Sequence, residues 1–401
     1  MPPRRSHAKS RRGCINCKSR HIKCDEGGPP CERCKLRGTP CEYTSIGPVP
    51  KISSPSEAQK GSALDAVSSR VTQVRLPADR RLLELQLMHR WSTGTYKSCV
   101  TPQVNDGELW QQKVPALAVQ YDFLLNGLLA LSAYDCARAA IEAESEQYVN
   151  SAVEYHALAL GSFRSYVPRI DSESHEAAFA CSLILMILAI ASAQFASTPG
   201  VGISHDMVQN AIVHFEMLRG CVPILDINVD LLLSNPQIQK LVPWEDLPRT
   251  MVDGPTRTAF GHLRDFNDKK IVAARDKPGE YNIGQIAHWE ICKKAISMLT
   301  ECFEKCVDDL SRGYALGWLN VAGEDYIKAL KDEDNAALLV LMFWGVLVDK
   351  LGHQVWWAEK FGSLLVSEIS NRVLTVNDDK ETQDMIAWAR GNVSSGHQEQ
   401  T

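Results

Sequence analysis

Between residues 78 and 393, apolar side chains recur at three- and four-residue steps, the rhythm of helices that each bury one face. Leu82, Leu83, Leu85, Leu87 and Met88 crowd one short segment, and Phe123 to Ala140 (FLLNGLLALSAYDCARAA) carries the same spacing. His288 to Val307 and Asn335 to Leu351 repeat it. Alternating stretches bounded by hairpin turns are scarce, so the pattern predicts a large all-α body. A Pro-punctuated stretch from Ile224 to Pro255 is expected to break that body into two helical groups. No repeat with a period of about twenty to fifty residues runs through it.

Upstream the rhythm lapses. Residues 1–13 form a basic arm, 14–43 hold a cysteine cluster, and 44–77 are rich in Pro, Ser and Gly and read as a linker. Residues 394–401 form a polar tail. Inside the linker, Leu64, Val67, Val71 and Val74 fall at heptad spacing. Pro77 ends that run after about two heptads, where a coiled coil usually needs three or four. A homodimer handle and a loosely helical linker are both open there, and the short run favours the linker.

One segment imitates a membrane span. Ala177 to Ala196 (AAFACSLILMILAIASAQFA) runs without a charge for long enough to cross a bilayer. Ser182, Ser192 and Gln194 interrupt it, alanines dominate it, and His175–Glu176 flank it in place of Lys or Arg. A buried core helix fits these features better, and no membrane span is expected.

Length and charge sharpen the division. A chain of 401 residues exceeds one typical domain. Residues 1–45 hold eleven Lys or Arg against four acids, a surplus of about +7, whereas the whole chain carries −5. A small basic head on an acidic body suggests a polyanion-binding module joined to something that binds no polyanion. Met1 to Arg12 is polar and basic with no apolar stretch behind it, so the expectation is a reducing compartment. There, clustered cysteines act as metal ligands rather than disulfides.

Cys14, Cys17, Cys24, Cys31, Cys34 and Cys41 are spaced C-x2-C-x6-C-x6-C-x2-C-x6-C, a duplicated C-x2-C-x6-C half. A structural zinc takes four ligands in a tetrahedron at roughly 2.3 Å. Three thiolates per half are one short, and two separate sites would need eight. The count closes if two zinc ions share two ligands, which the internal symmetry makes Cys14 and Cys31. A disulfide framework and a single zinc ribbon are the alternatives. The compartment speaks against the first, and the second leaves two thiols idle.

This cluster, over residues 13–43, resembles the fungal Zn2Cys6 binuclear-cluster transcription factors. The carrying residues are Gly13 to Glu26, then Pro29-Pro30-Cys31-Glu32-Arg33-Cys34, then Cys41-Glu42-Tyr43. The resemblance implies a small module of two short helices around two zinc ions, with Pro29 or Pro30 shaping the turn between halves. It also implies a nuclear protein that binds double-stranded DNA.

The two halves differ in their loops. Lys18-Ser19-Arg20-His21-Ile22-Lys23 is basic and able to form helix, whereas Gly38 and Pro40 stop a helix early in Lys35-Leu36-Arg37-Gly38-Thr39-Pro40. The first half is therefore the expected reader of a major groove. Arg20 and His21 are placed near base edges, and Lys18 and Lys23 on phosphates. The family likeness implies basic residues at these four positions and CGG-like triplets; His21 departs from the commoner Lys or Arg. Arg4, Arg5, Lys9, Arg11 and Arg12 form a second basic group, suited to nuclear import or to gripping phosphate. Arg11 and Arg12 are included among the DNA-contacting residues.

The body offers little chemistry. Cys99, Cys136, Cys181, Cys221, Cys292, Cys302 and Cys306 sit mostly in apolar helical contexts and read as buried. The pairs His288–Cys292 and Cys302–Cys306 share helical spacing, which core packing also explains. No phosphate-binding Gly loop, G-x-S-x-G elbow or H-E-x-x-H occurs, so no enzyme is expected. Phe343, Trp344, Trp356, Trp357 and Phe361 suit a packed core better than a ligand pocket.

The body also resembles the regulatory domain of sterol-uptake-control-type regulators, through Leu83 to Tyr96, Phe123 to Ala133 and the Trp356–Trp357 region. That implies a helical domain controlling the zinc module, with an apolar ligand as one means of control. The leading expectation is an activator of a fungal metabolic pathway, in particular a biosynthetic gene cluster. The alternative is a sterol- or lipid-sensing factor.

Overall fold

The computed structural model describes residues 14–20, 22–25, 30–39, 41, 78–101, 106–198, 205–227, 247–277, 279–308, 310–375 and 379–393. The basic arm, the linker with its heptad positions, the tail, His21, Pro29 and Pro40 lie outside the described residues. The chain divides into two compact units, Met1–Arg75 and Leu76–Thr401.

In the first unit two short helices are described, α1 (Ile15–Ser19) and α2 (Glu32–Lys35). In the second, the helices are α3 (Ala78–Thr93), α4 (Val114–Ala118), α5 (Asp122–Ala139), α6 (Glu142–Tyr166), α7 (His175–Ala193) and α8 (Met207–Ile227). They continue as α9 (Gly254–Asp276), α10 (Ile283–Lys305), α11 (Arg312–Ala322), α12 (Glu324–Lys331), α13 (Asn335–Gly352), α14 (Phe361–Leu374) and α15 (Lys380–Gly391). Single 3-10 turns stand at Thr95–Ser98 and Trp356–Ala358. Among the described residues there is no strand.

Local signals set the helix ends. Asp253, Asn282, Asp334 and Asp379 each accept backbone N–H groups of the first turn of α9, α10, α13 and α15, satisfying donors that a helix start leaves open. Asn282 and Gln285 close a reciprocal capping box.

One core runs through the body. Trp91, Trp318, Trp344 and Trp357 are almost wholly buried, and each indole N–H donates to a backbone carbonyl, of Trp110, Ala295, Ala315 and Ser98 respectively. A buried indole left without such a partner would lose a hydrogen bond to water and gain nothing. Arg312 at the start of α11 donates to the same Ser98 carbonyl at 2.9 Å. The expected split into two helical groups is corrected: α8 packs on α7 before the break and on α11, α12 and α14 after it. A chain break in sequence does not divide a body whose apolar faces meet across it.

The segment that imitates a membrane span is α7, whose apolar side chains are buried among α5, α6 and α8. α13, one residue shorter and less apolar, also has the length and composition of a span, and it too is mostly buried. Of the leucines crowded in α3, only Leu87 is fully buried, while Leu82 and Leu85 stand 58% and 62% exposed.

Two features fix close geometry. A Cβ on Gly362 would run into the backbone of Gly345 and Asp349, so α14 lies against α13 only because that position is bare. Asp135, 2% exposed on α5, accepts from Arg90 of α3 at 2.7 Å, Thr95 Oγ1 at 2.8 Å and Arg138 at 3.0 Å. One carboxylate thereby ties α3 and the turn after it to α5.

Candidate metal centre and nucleic-acid interface

The duplicated spacing is a duplicated structure. Cys14 caps α1 and its sulfur accepts the Cys17 N–H at 3.3 Å; Cys31 stands at the same place before α2. The backbone N–H of Cys14 reaches Cys24 Sγ at 3.5 Å, and that of Cys31 reaches Cys41 Sγ at 3.2 Å. Ile22 N–H bonds the Cys17 carbonyl at 3.1 Å, and Thr39 N–H bonds the Cys34 carbonyl at 3.2 Å. Positions 14–24 and 31–41 thus correspond one for one. Asp25 joins the halves by accepting the Glu32 N–H at 3.2 Å.

All six sulfurs converge in two overlapping quartets, Cys14–Cys17–Cys24–Cys31 and Cys14–Cys31–Cys34–Cys41, within each of which the sulfurs lie inside 4.8 Å of one another. Cys14 and Cys31 belong to both, as the ligand count requires. A tetrahedron with arms of roughly 2.3 Å has edges of about 3.8 Å. Cys14–Cys31 and Cys17–Cys31 are 3.8 Å apart, and Cys14–Cys34 is 3.7 Å. Donor type, number and spacing all fit two zinc ions. Burial, reinforced by neighbouring sulfurs, pushes the Cys17 thiol up and that of Cys41 to about 12. Zinc, when bound, would supply the positive charge that lets these sulfurs bind as thiolates.

Sequence reasoning placed more of the basic loop in helix than the structure does. α1 ends at Ser19, Arg20 begins a turn, and Ile22–Asp25 is irregular. The reason is geometric: Cys17 and Cys24 belong to one quartet, so the chain between them must turn back. Gly38 holds a positive φ of 61°, and α2 is four residues long, so the second half does stop early.

Lys18, Arg20 and Lys23 are exposed, the first in the last turn of α1 and the others on the segment that follows it, beside the cluster. His21, Arg11 and Arg12 lie outside the described residues. Sequence reasoning overlooked Arg33, Lys35 and Arg37, which are equally exposed on the second half. Aligning the two halves residue by residue would have found Lys35 and Arg37 opposite Lys18 and Arg20.

Among the described residues of the body, no other set of His, Cys, Asp or Glu converges in this way. Cys99, Cys181, Cys292, Cys302 and Cys306 are buried and form no disulfide. Burial pushes the Cys99 and Cys302 thiols up to about 12, which makes them inert. The Cys221 side chain lies outside the described residues. His288 faces Asp332 at 3.3 Å rather than a metal set. Phe343, Trp344, Trp357 and Phe361 are core, at most 1% exposed. Trp356 differs: it is half-buried and lines a cleft of about 800 Å³ with Arg138, Glu142, Glu146, Gln194 and Lys360, a polar setting rather than an apolar pocket.

Residues 12–47 match the fungal Zn(2)-Cys(6) binuclear cluster domain, which binds two zinc ions through six cysteines. The chain is 27% identical over 248 residues to a Zn(2)-C6 fungal-type transcription factor of Gibberella zeae, half of each chain. It is 30% identical over 151 residues to sterol uptake control protein 2 of Saccharomyces cerevisiae, 37% of this chain and 16% of that one. It is 40% identical over 79 residues to the aspercryptin biosynthesis cluster-specific transcription regulator of Emericella nidulans, 19% of this chain and 13% of that one. The chain spans about half the length of the first of these relatives and less of the others. These relatives are named as regulators, not as enzymes, in keeping with a body without catalytic motifs.

Proposed function

From a zinc-cluster domain joined to a helical body, we propose that this protein is a nuclear, sequence-specific DNA-binding regulator that activates genes of a fungal metabolic pathway, a biosynthetic gene cluster in particular. The observation that carries the reading is the pair of sulfur quartets with Lys18, Arg20 and Lys23 exposed beside them. Two dications against six thiolates leave a formal charge of about −2, smaller than the basic surplus around it, so the head stays cationic. Arg20 and His21 read base edges in the major groove, while Lys18, Lys23 and the arm residues Arg11 and Arg12 hold phosphates. The cluster-specific regulator of Emericella nidulans supports the pathway assignment.

Selection of bound fragments from random DNA by the full-length chain tests this reading. The expected result is enrichment of CGG-like triplets, at a spacing that also reports whether the protein binds as a dimer. Failure to enrich any sequence would sink it.

A second reading, a sterol- or lipid-sensing factor, is favoured by the likeness to sterol uptake control protein 2. The polar lining of the cleft beside Trp356 speaks against an apolar ligand there. A rise in the thermal stability of the body on adding sterols would favour the second reading; no shift with any lipid favours the first.

A further inference from the structure

The internal duplication provides its own control. Where two halves share spacing, helix position, the N–H···S bond from first cysteine to last and loop closure, the few differences between them stand out. In the first quartet every sulfur is buried: Cys14 at 0%, Cys17 at 1%, Cys24 at 3% and Cys31 at 0% exposure. In the second, Cys34 is buried but Cys41 is partly open to solvent. The residue two before the last cysteine explains part of this. In the first half it is Ile22, an apolar side chain packed against the sulfurs; in the second it is Thr39, a smaller polar side chain that hydrogen-bonds Cys34.

We propose that the two zinc ions are kinetically inequivalent, the ion held by Cys34 and Cys41 exchanging first, with Cys41 as the point of entry for an incoming ligand. Exchange here is ligand substitution without any change of oxidation state. A nitrogen or oxygen donor of the chelator bonds the zinc as the bond to Cys41 Sγ breaks, and the departing thiolate takes a proton from water. Cys34 follows. The bridging sulfurs Cys14 and Cys31 lose one of their two bonds and keep the other. What remains is complete, because Cys14, Cys17, Cys24 and Cys31 still give the first ion four ligands. Loss of the first ion from the other side would likewise leave a complete quartet, so ligand count alone does not choose. Solvent access at Cys41 does.

The test uses the full-length, two-zinc protein and an excess of the chromophoric chelator 4-(2-pyridylazo)resorcinol. Release is expected in two phases of one zinc per chain each. Iodoacetamide added at the end of the fast phase, followed by peptide mass mapping, should label Cys34 and Cys41 and spare Cys17 and Cys24. Exchanging the covering residue should move the phases separately. Thr39→Ile is expected to slow the fast phase and Ile22→Thr to quicken the slow one, each by about tenfold, the low end of what outer-shell changes do to metal affinity. Release of both ions in a single phase, or labelling of Cys17 and Cys24 ahead of Cys34 and Cys41, would overturn the proposal. The labelling arm needs only the natural protein, so it stands even if a variant fails to fold.

Discussion

In the head, the buried side chains are sulfurs: Cys14, Cys17, Cys24, Cys31 and Cys34, with Ile22 laid against them. In the body they are indoles, phenyl rings and aliphatic chains, and among its described residues the cysteines gather in no such quartet. The same residue type thus has two roles, decided by whether its sulfur joins a quartet of others. A cluster that small buries too little apolar surface to offset the entropy of ordering its chain. Its folding free energy must come from metal–sulfur bonds, on the order of 10 kcal/mol or more per structural zinc. The body draws on apolar burial.

That contrast can be broken most forcefully by removing the metal. All nine tryptophans lie beyond residue 90, so tryptophan fluorescence reports the body alone. Chelation, or Cys14→Ser, which strips a ligand from both quartets, should abolish DNA binding and unfold the head. The melting temperature read by tryptophan fluorescence should stay where it was. A coupled drop would show that the two units are not energetically separate.

The reverse experiment strikes the body. Gly362→Ala forces a methyl into the backbone of Gly345 and Asp349 and should cost about 3 kcal/mol, seen as a lowered tryptophan melt. Metal analysis should still find two zinc ions per chain. Asp135→Ala leaves Arg90, Arg138 and Thr95 without their common acceptor and should cost about 2 kcal/mol by the same measure, again with zinc content unchanged.

The smallest effects belong to the residues proposed to contact DNA. Lys18→Ala should weaken binding to all sequences alike and reduce the slope of log K against log salt by about 1, with neither unit destabilised. His21→Ala should instead relax preference at one base position in a selection experiment. The opposite pattern would exchange the roles of anchor and reader.

The sequence was most legible where chemistry counts ligands. Six cysteines at a duplicated spacing fix the donor set and the need for two shared ligands, and the internal symmetry points to Cys14 and Cys31 as the pair. Helices of the body were legible from their apolar period, and the charge-free run of α7 read as core because serines and alanines spoke against lipid. What escaped depends on partners far apart in sequence. Nothing local to Asp135 announces Arg90 and Thr95, and nothing around Gly362 announces the backbone of Gly345. The helix in the basic loop came out shorter than composition suggested, since propensity yields to the demand that Cys24 return to its quartet. Trp356 and Trp357 are adjacent in sequence, yet one lines a cleft and the other is buried, a distinction that helical spacing alone does not make.

The burial of α7 has a consequence during synthesis. Part of its cover, the turn Trp356–Ala358 and α14, leaves the ribosome only after α8 to α13 have been made. Translation adds roughly 5–20 residues per second, so for several seconds or longer a bilayer-like segment waits incompletely covered. The nascent chain is then a substrate for chaperones and for the machinery that sorts proteins to membranes, and the interval ends only when the C-terminal helices arrive.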